Sequence, residues 1–240
     1  MLPLKDIIPS RTYPFVTVSI IVLNSFFFLI ELLVPPPLRE PMFYVVGLVP
    51  AYFSNFSFLA EYPFYVLSIF TSMFIHGSFL HLLSNMWMLW IFGDNVEDRL
   101  GHFRFFIFYI LCGIAAAVVH IIFNLNSPVP TVGASGAIAG VMGAYFVMYP
   151  LSRIVVLVPI FIFPFFFELY AFVFILLWFW MQLSQGFISL MLPQGLGGIA
   201  WWAHIGGFIA GIFLLEILKP RKEFRRKIYH DERVFEDAWF

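Results

Sequence analysis

Ala203-His204-Ile205-Gly206-Gly207 opens an apolar run over about 199–218 that Lys219-Pro220 closes. A helix needs roughly 20 apolar residues to cross a bilayer, so the run reads as a membrane span. It carries a histidine near one end. An ionisable side chain inside a span is costly to bury and marks function by default. Gly207 and Gly211 follow at i+3 and i+7, on the same helix face, where small residues let another helix approach closely. The matching surface is Gly133-Ala134-Ser135-Gly136-Ala137, at the head of a run over about 134–149 that Pro150 stops. A hydroxyl and an imidazole on two glycine-lined spans set the frame for everything else in the chain.

The composition agrees with a membrane setting. Of 240 residues, 62% are hydrophobic and 11% charged, and mean hydropathy is +0.93. A soluble domain carries about 25% charged residues. Six spans are expected, over about 14–34, 78–93, 103–123, 134–149, 167–189 and 199–218. The second and fourth are short for full spans, which implies local thinning or water reaching into the protein. Residues 41–75 are hydrophobic but broken by Gly47, Pro50, Asn55 and Pro63, and read as an interfacial loop of short helices. Residues 154–164 are apolar up to Pro164 but are not counted as a span, because an odd number would spoil the charge asymmetry. The single cysteine, Cys112, excludes an internal disulfide. Net charge is -1, and no nucleic-acid partner is expected.

With six spans and the N-terminus inside, all of the 13 basic residues except Arg39 fall on the inner side, as basic residues flanking spans do. The expected organisation is a cytoplasmic N-terminus over 1–13, a six-span domain over 14–218 with an interfacial loop at about 35–77, and a charged cytoplasmic tail over 219–240. The tail mixes basic, acidic and apolar residues and reads as a lipid-anchoring surface segment.

This orientation puts His76, His81 and Asn85, then Ser135, then His204 at the outer ends of spans two, four and six. Ser135 begins its helix, where backbone N–H groups lack partners and the dipole is positive, a setting that suits an oxyanion. Serine is a weak nucleophile and needs a base within hydrogen-bond reach, which His204 can supply. No Asp or Glu is read in the outer half of any span, so the pair is expected to act as a dyad without a carboxylate. His81 and Asn85 are four apart, share a helix face and can both donate. His76 is off that face and is placed before the helix begins, near Gly77-Ser78. Helix-packing serine and interhelical histidine hydrogen bonds are the plain alternatives for each position. No His-Glu-x-x-His or paired histidine spacing is present, and neither metal nor cofactor is expected. Glu97 and Glu168, near inner ends, are read as structural, Glu97 by pairing with Arg99 or Arg104.

The set His76-x4-His81-x3-Asn85, Phe92-Gly93-x3-Glu97, Gly133-Ala134-Ser135-Gly136 and Ala203-His204-x2-Gly207-x3-Gly211 resembles the rhomboid intramembrane serine proteases, over roughly residues 60–218. The resemblance implies an all-α polytopic membrane protein, a six-transmembrane-helix bundle with an interfacial first loop. It implies Ser135 as nucleophile and His204 as base, with His81, Asn85 and the Ser135 N–H at the oxyanion and His76 supporting. It implies as substrate the transmembrane segment of single-span proteins, cut near its outer end, in a bacterial or archaeal cell membrane, with membrane lipid as the other partner. Many members carry a Trp-Arg pair in the first loop, and this chain has none. Such a segment must unwind locally before attack, which helix-weakening residues ease, and a small residue is expected before the cut bond. A catalytically inactive rhomboid-like membrane chaperone or binder and a small transporter are the competing readings. The intact set of serine, histidine and donors speaks against the first, and the lack of a visible inverted repeat against the second.

Overall fold

The structure, a computed structural model, describes residues 1–160, 163–191 and 199–220. A helix lies over each of the six expected segments: α1 (Phe15–Leu33), α6 (Phe79–Leu100), α7 (His102–Phe123), α8 (Ser135–Met148), α9 (Ala171–Ser189) and α10 (Trp201–Leu218). Four of them, α1, α7, α9 and α10, are each long and apolar enough to cross a membrane. The helix α6 passes the same test only together with residues 63–74, to which it is bent by 77°. The helix α8 is shorter, at 14 residues, which at 1.5 Å per residue spans about 21 Å, less than the roughly 30 Å hydrocarbon core. The chain is an integral, multi-pass membrane protein built as a helical bundle.

The bundle is organised around α8. Ten of its residues, from Gly136 to Tyr145, are buried, and α6, α7, α9 and α10 all pack against it. Small side chains (Gly136, Ala137, Gly140, Gly143, Ala144) let neighbouring backbones approach from several sides, the usual way helices associate where lipid supplies no hydrophobic drive. The outer shell shows the reverse composition. On α1 the buried stripe is Thr17, Ile20, Asn24, Phe28 and Glu31, while Val22, Phe26, Leu29 and Leu33 are exposed. A bundle in lipid turns apolar groups outward and keeps its polar groups against protein.

Two sequence expectations are corrected. Gly93-Asp94 does not end the second span: α6 continues to Leu100, and Gly93 is instead a contact point, where an added Cβ would sit 3.0 Å from Thr17 Oγ1 of α1. The fold is also not purely helical. Arg153–Ile160 (β2) and Phe163–Tyr170 (β3) pair antiparallel, with Arg153 opposite Tyr170 and Pro159 opposite Pro164, and Leu2–Asp6 (β1) pairs with the other edge of β2. Ile154 and Val156 face inward at period 2 in a run of β-branched residues, a pattern that fits a pleated surface better than a helix. The fifth span therefore starts at Ala171 rather than at 167. Glu168 lies in β3 and pairs with Arg153 across the hairpin at 2.8 Å.

The first loop forms short helices, as expected: α2 (Pro36–Val46), α3 (Pro50–Ser54), α4 (Phe56–Glu61) and α5 (Ser68–Thr71), with single 3-10 turns beside α5. Tyr65 ties it together, its hydroxyl donating to the Gly47 carbonyl and accepting from the Val49 N–H. A bridge between Leu48 and Thr131 fastens this loop to the segment leading into α8. All but the first two residues of the expected surface tail over 219–240 lie outside the described residues.

Candidate active site

Ser135 is the first residue of α8, and among the described residues no side chain caps that helix start. The N–H groups of its first turn have no intrahelical acceptor. His204 sits in the first turn of α10, buried, with the rings of Trp178 and Trp201 about it at 6.0 and 6.4 Å. Its Nε2 lies 2.8 Å from Ser135 Oγ. The contact follows from the glycines. A Cβ on Gly207 would be driven into the Gly136 carbonyl oxygen, and one on Gly211 into that of Gly140. The backbones of α8 and α10 thus touch directly below the pair.

His81 and Asn85, on one face of α6, converge on the same place from the other side. Gly133, two residues before Ser135, has φ +123, and a Cβ there would lie 2.7 Å from His81 Nε2 and 3.4 Å from Asn85 Nδ2. Only glycine meets both demands, the backbone angle and the closeness of the ring. Its N–H is held by the Ser72 carbonyl at 2.8 Å. Asn85 is buried, and its Nδ2 has no partner among the described residues. Ser78 caps α6, its Oγ accepting from the His81 N–H at 3.2 Å. His76 therefore precedes the helix, as its spacing suggests. It is fully buried, its ring packs edge-on to that of His81 at 5.2 Å, and neither of its ring nitrogens has a partner among the described residues.

The rhomboid-domain family model matches residues 63–221, about two thirds of the chain, and takes in all five of these residues. The chain belongs to the rhomboid family. Similar proteins include RHOMBOID-like protein 5 of Arabidopsis thaliana, 30% identical over 62% of this chain and 43% of that protein. The presenilin-associated rhomboid-like protein, mitochondrial, of Homo sapiens is 27% identical over 68% of this chain and 42% of its own length. Rhomboid protein 1, mitochondrial, of Saccharomyces cerevisiae is 35% identical over 41% and 28% respectively. The match spans less than half the length of each relative. They come from a plant, an animal and a yeast, two bear a mitochondrial name, and they give no support to the bacterial or archaeal membrane expected from the sequence.

Three features of this rhomboid were missed or misread in the sequence. Glu31 lies in the outer half of the first span, contrary to the reading that no carboxylate does. It is buried in α1, and its Oε1 accepts from the His76 backbone N–H at 3.1 Å. Gln182 of α9, also buried, places its Oε1 2.7 Å from His204 Nδ1. Its sequence signal is an uncharged amide in the outer half of span five, where a carboxylate would be the expected partner of the base. His120 of α7 is likewise buried, its Nε2 2.9 Å from Thr131 Oγ1 beside the segment leading to Ser135.

Glu97, at the inner end of α6, is structural as expected, through partners the sequence did not suggest. It is fully buried and accepts from the Val16 N–H, the Thr17 N–H and Thr17 Oγ1 at 2.8, 2.7 and 2.7 Å, and it meets His102 Nδ1 at 2.6 Å. It supplies from α6 the cap that α1 lacks in its own sequence. Among the described residues no cluster of three metal-ligating side chains occurs.

Proposed function

We propose that this rhomboid is a serine endopeptidase that cuts peptide bonds in or near the transmembrane segment of single-span membrane proteins. The observation that carries the reading is the 2.8 Å contact between His204 Nε2 and Ser135 Oγ at an uncapped helix start. Ser135 Oγ attacks the carbonyl carbon of the substrate as His204 Nε2 takes its proton. The carbonyl oxygen becomes an oxyanion facing the Ser135 N–H, His81 and Asn85, donors fixed before the reaction begins. His204 then gives the proton to the leaving amine, and an acyl ester remains on Ser135. Water, deprotonated by His204, hydrolyses that ester and restores the serine. His76, held at its backbone by Glu31 and packed on His81, supports the ring that it touches.

In this reading the start of α1 and the end of α10 lie on the basic-rich side of the membrane, and the site opens toward the other side. The first loop lies along that opposite surface. The test is cleavage of a panel of single-span reporters by the purified chain in vesicles, alongside labelling by a fluorophosphonate. Wild type labels and cleaves, and Ser135→Ala and His204→Ala do neither. Equal labelling of wild type and Ser135→Ala removes Ser135 from the chemistry.

A further inference from the structure

The direction of every hydrogen bond around His204 follows from what each atom can do. The Trp178 backbone carbonyl only accepts, and it lies 3.2 Å from the Gln182 amide nitrogen. That bond turns the amide oxygen the other way, to 2.7 Å from His204 Nδ1. The amide oxygen also only accepts, so Nδ1 carries the imidazole proton. A neutral imidazole has one ring proton, so Nε2 is bare, and Nε2 is the nitrogen 2.8 Å from Ser135 Oγ. Three helices thus hold one directional chain, from a main-chain carbonyl of α9 through a side-chain amide to the base on α10 and the hydroxyl on α8. Gln182 is 2% exposed, so water does not compete for its oxygen.

We infer that Gln182 is a positioning residue that fixes His204 as the Nδ1–H tautomer and keeps its ring aimed at Ser135. This rests on the hydrolytic reading above and adds to it a third member without charge. When Ser135 gives up its proton, Nδ1–H still donates to the amide oxygen, now from a cation, and the bond strengthens as charge develops. Gln182 touches neither substrate nor the reacting atoms. Its effect belongs to kcat, with KM close to wild type.

The test compares Gln182→Leu, which removes the acceptor at similar volume, with Gln182→Glu, which keeps it. Hydrogen bonds to a charged group carry enough free energy that Gln182→Leu is expected to lower kcat by about 10- to 100-fold. Gln182→Glu is expected to recover most of that loss. A structural role alone predicts loss of melting temperature without this split between the two variants. The second readout needs no turnover: 15N spectra of histidine-labelled protein in the Ser135→Ala background report which ring nitrogen of His204 is protonated. Wild-type Gln182 gives a single Nδ1–H species, and Gln182→Leu gives a tautomer mixture. A Gln182→Leu chain with wild-type kcat, or an unchanged His204 spectrum, overturns the inference while leaving Ser135 and His204 in place. Labelling that survives Ser135→Ala sinks the hydrolytic reading instead, and the tautomer spectrum still decides the role of Gln182.

Discussion

Gly207→Ala probes the helix contact on which the serine–histidine pair depends. Gly207 is one turn beyond His204 on α10, and the carbonyl it faces belongs to Gly136, the residue after Ser135. The added Cβ falls on that carbonyl oxygen. Backbone on both sides leaves no side chain to swing away. Carbon and oxygen on packed helices come no closer than about 3.3 Å, so α8 and α10 must part by roughly 1 Å or more. That opens the 2.8 Å separation of Nε2 and Oγ toward about 3.5 Å, where little hydrogen bond remains. A displacement of about 1 Å in a reacting group costs on the order of 100-fold in rate. Overpacking itself costs about 1–3 kcal/mol, which leaves most folded proteins folded. The assay is the second-order rate of fluorophosphonate labelling in vesicles, with a melting temperature for each variant. Gly211→Ala, whose Cβ meets the Gly140 carbonyl one turn farther along, is expected to lose similar stability and less rate. Gly77→Ala, with nothing among the described residues within 4 Å of its Cβ, serves as the control at wild-type rate. Labelling of Gly207→Ala at the wild-type rate would refute the claim that backbone contact sets the dyad geometry.

Three further outcomes are expected. His81→Ala and Asn85→Ala each lower kcat without abolishing it, since one oxyanion donor contributes about 2.7–4 kcal/mol, and unchanged rates in both would move the oxyanion elsewhere. Glu97→Leu strips the acceptor from two backbone N–H groups and one hydroxyl at the start of α1. At about 1–3 kcal/mol for each buried donor left unpaired, it should lower stability by at least about 3 kcal/mol in thermal unfolding, and a shift under 1 kcal/mol would show that α1 finds another cap. Asp6 supplies a pH test at the inner face. Burial pushes its carboxyl from 3.8 up to about 7, nearby Asp94 adds to this, and the Tyr145 hydroxyl bond partly offsets it. A proton held more tightly when folded contributes stability below the unfolded value and loses it as pH rises to the folded one. At 1.36 kcal/mol per unit the ceiling is about 4 kcal/mol, and 1–2 kcal/mol is expected because β1 is partly solvated. Melting temperature should therefore fall between pH 4 and 7 more steeply in wild type than in Asp6→Asn, and parallel curves would remove Asp6 from the docking of β1.

The parts of this fold legible in the sequence were those that lipid enforces. A span must be apolar along its length, so the four helices long and apolar enough to cross alone, α1, α7, α9 and α10, stand out, and α6 and α8 stand out as shorter apolar runs. A polar group inside one stands out against that background, which is why Ser135, His204, His81 and Asn85 are legible as candidates. Contacts made by backbone are written only as glycines, and Gly207 and Gly211 disclosed the α8–α10 pairing because few other residues permit it. The hairpin Arg153–Tyr170 was not legible as a sheet, since its apolar run has no polar face to betray a period of 2. Its pairing with Leu2–Asp6 joins residues about 150 positions apart, which no local pattern encodes. The roles of Glu31 and Gln182 are not written locally for a different reason. Both are ordinary residues in apolar helices, and only the fold shows that one meets His76 and the other His204.

If the proposed hydrolysis holds, Gln182 also bears on why such a site in lipid can do without a carboxylate. In a water-exposed serine hydrolase, an aspartate orients the base and stabilises the imidazolium. Burying such an anion beside a neutral histidine, with little water at hand, carries a desolvation cost that a hydrogen bond does not fully repay. An amide oxygen accepts the same Nδ1–H with no net charge to bury, and its nitrogen is satisfied within its own helix by the Trp178 carbonyl. The amide gives weaker stabilisation of the imidazolium than a carboxylate, so the fixed donors at the oxyanion must carry more of the transition-state charge. The two sets of variants test this trade against each other: if the amide serves mainly to orient, Gln182→Leu costs less in rate than His81→Ala and Asn85→Ala combined, and the reverse order would place the main electrostatic stabilisation on the imidazolium.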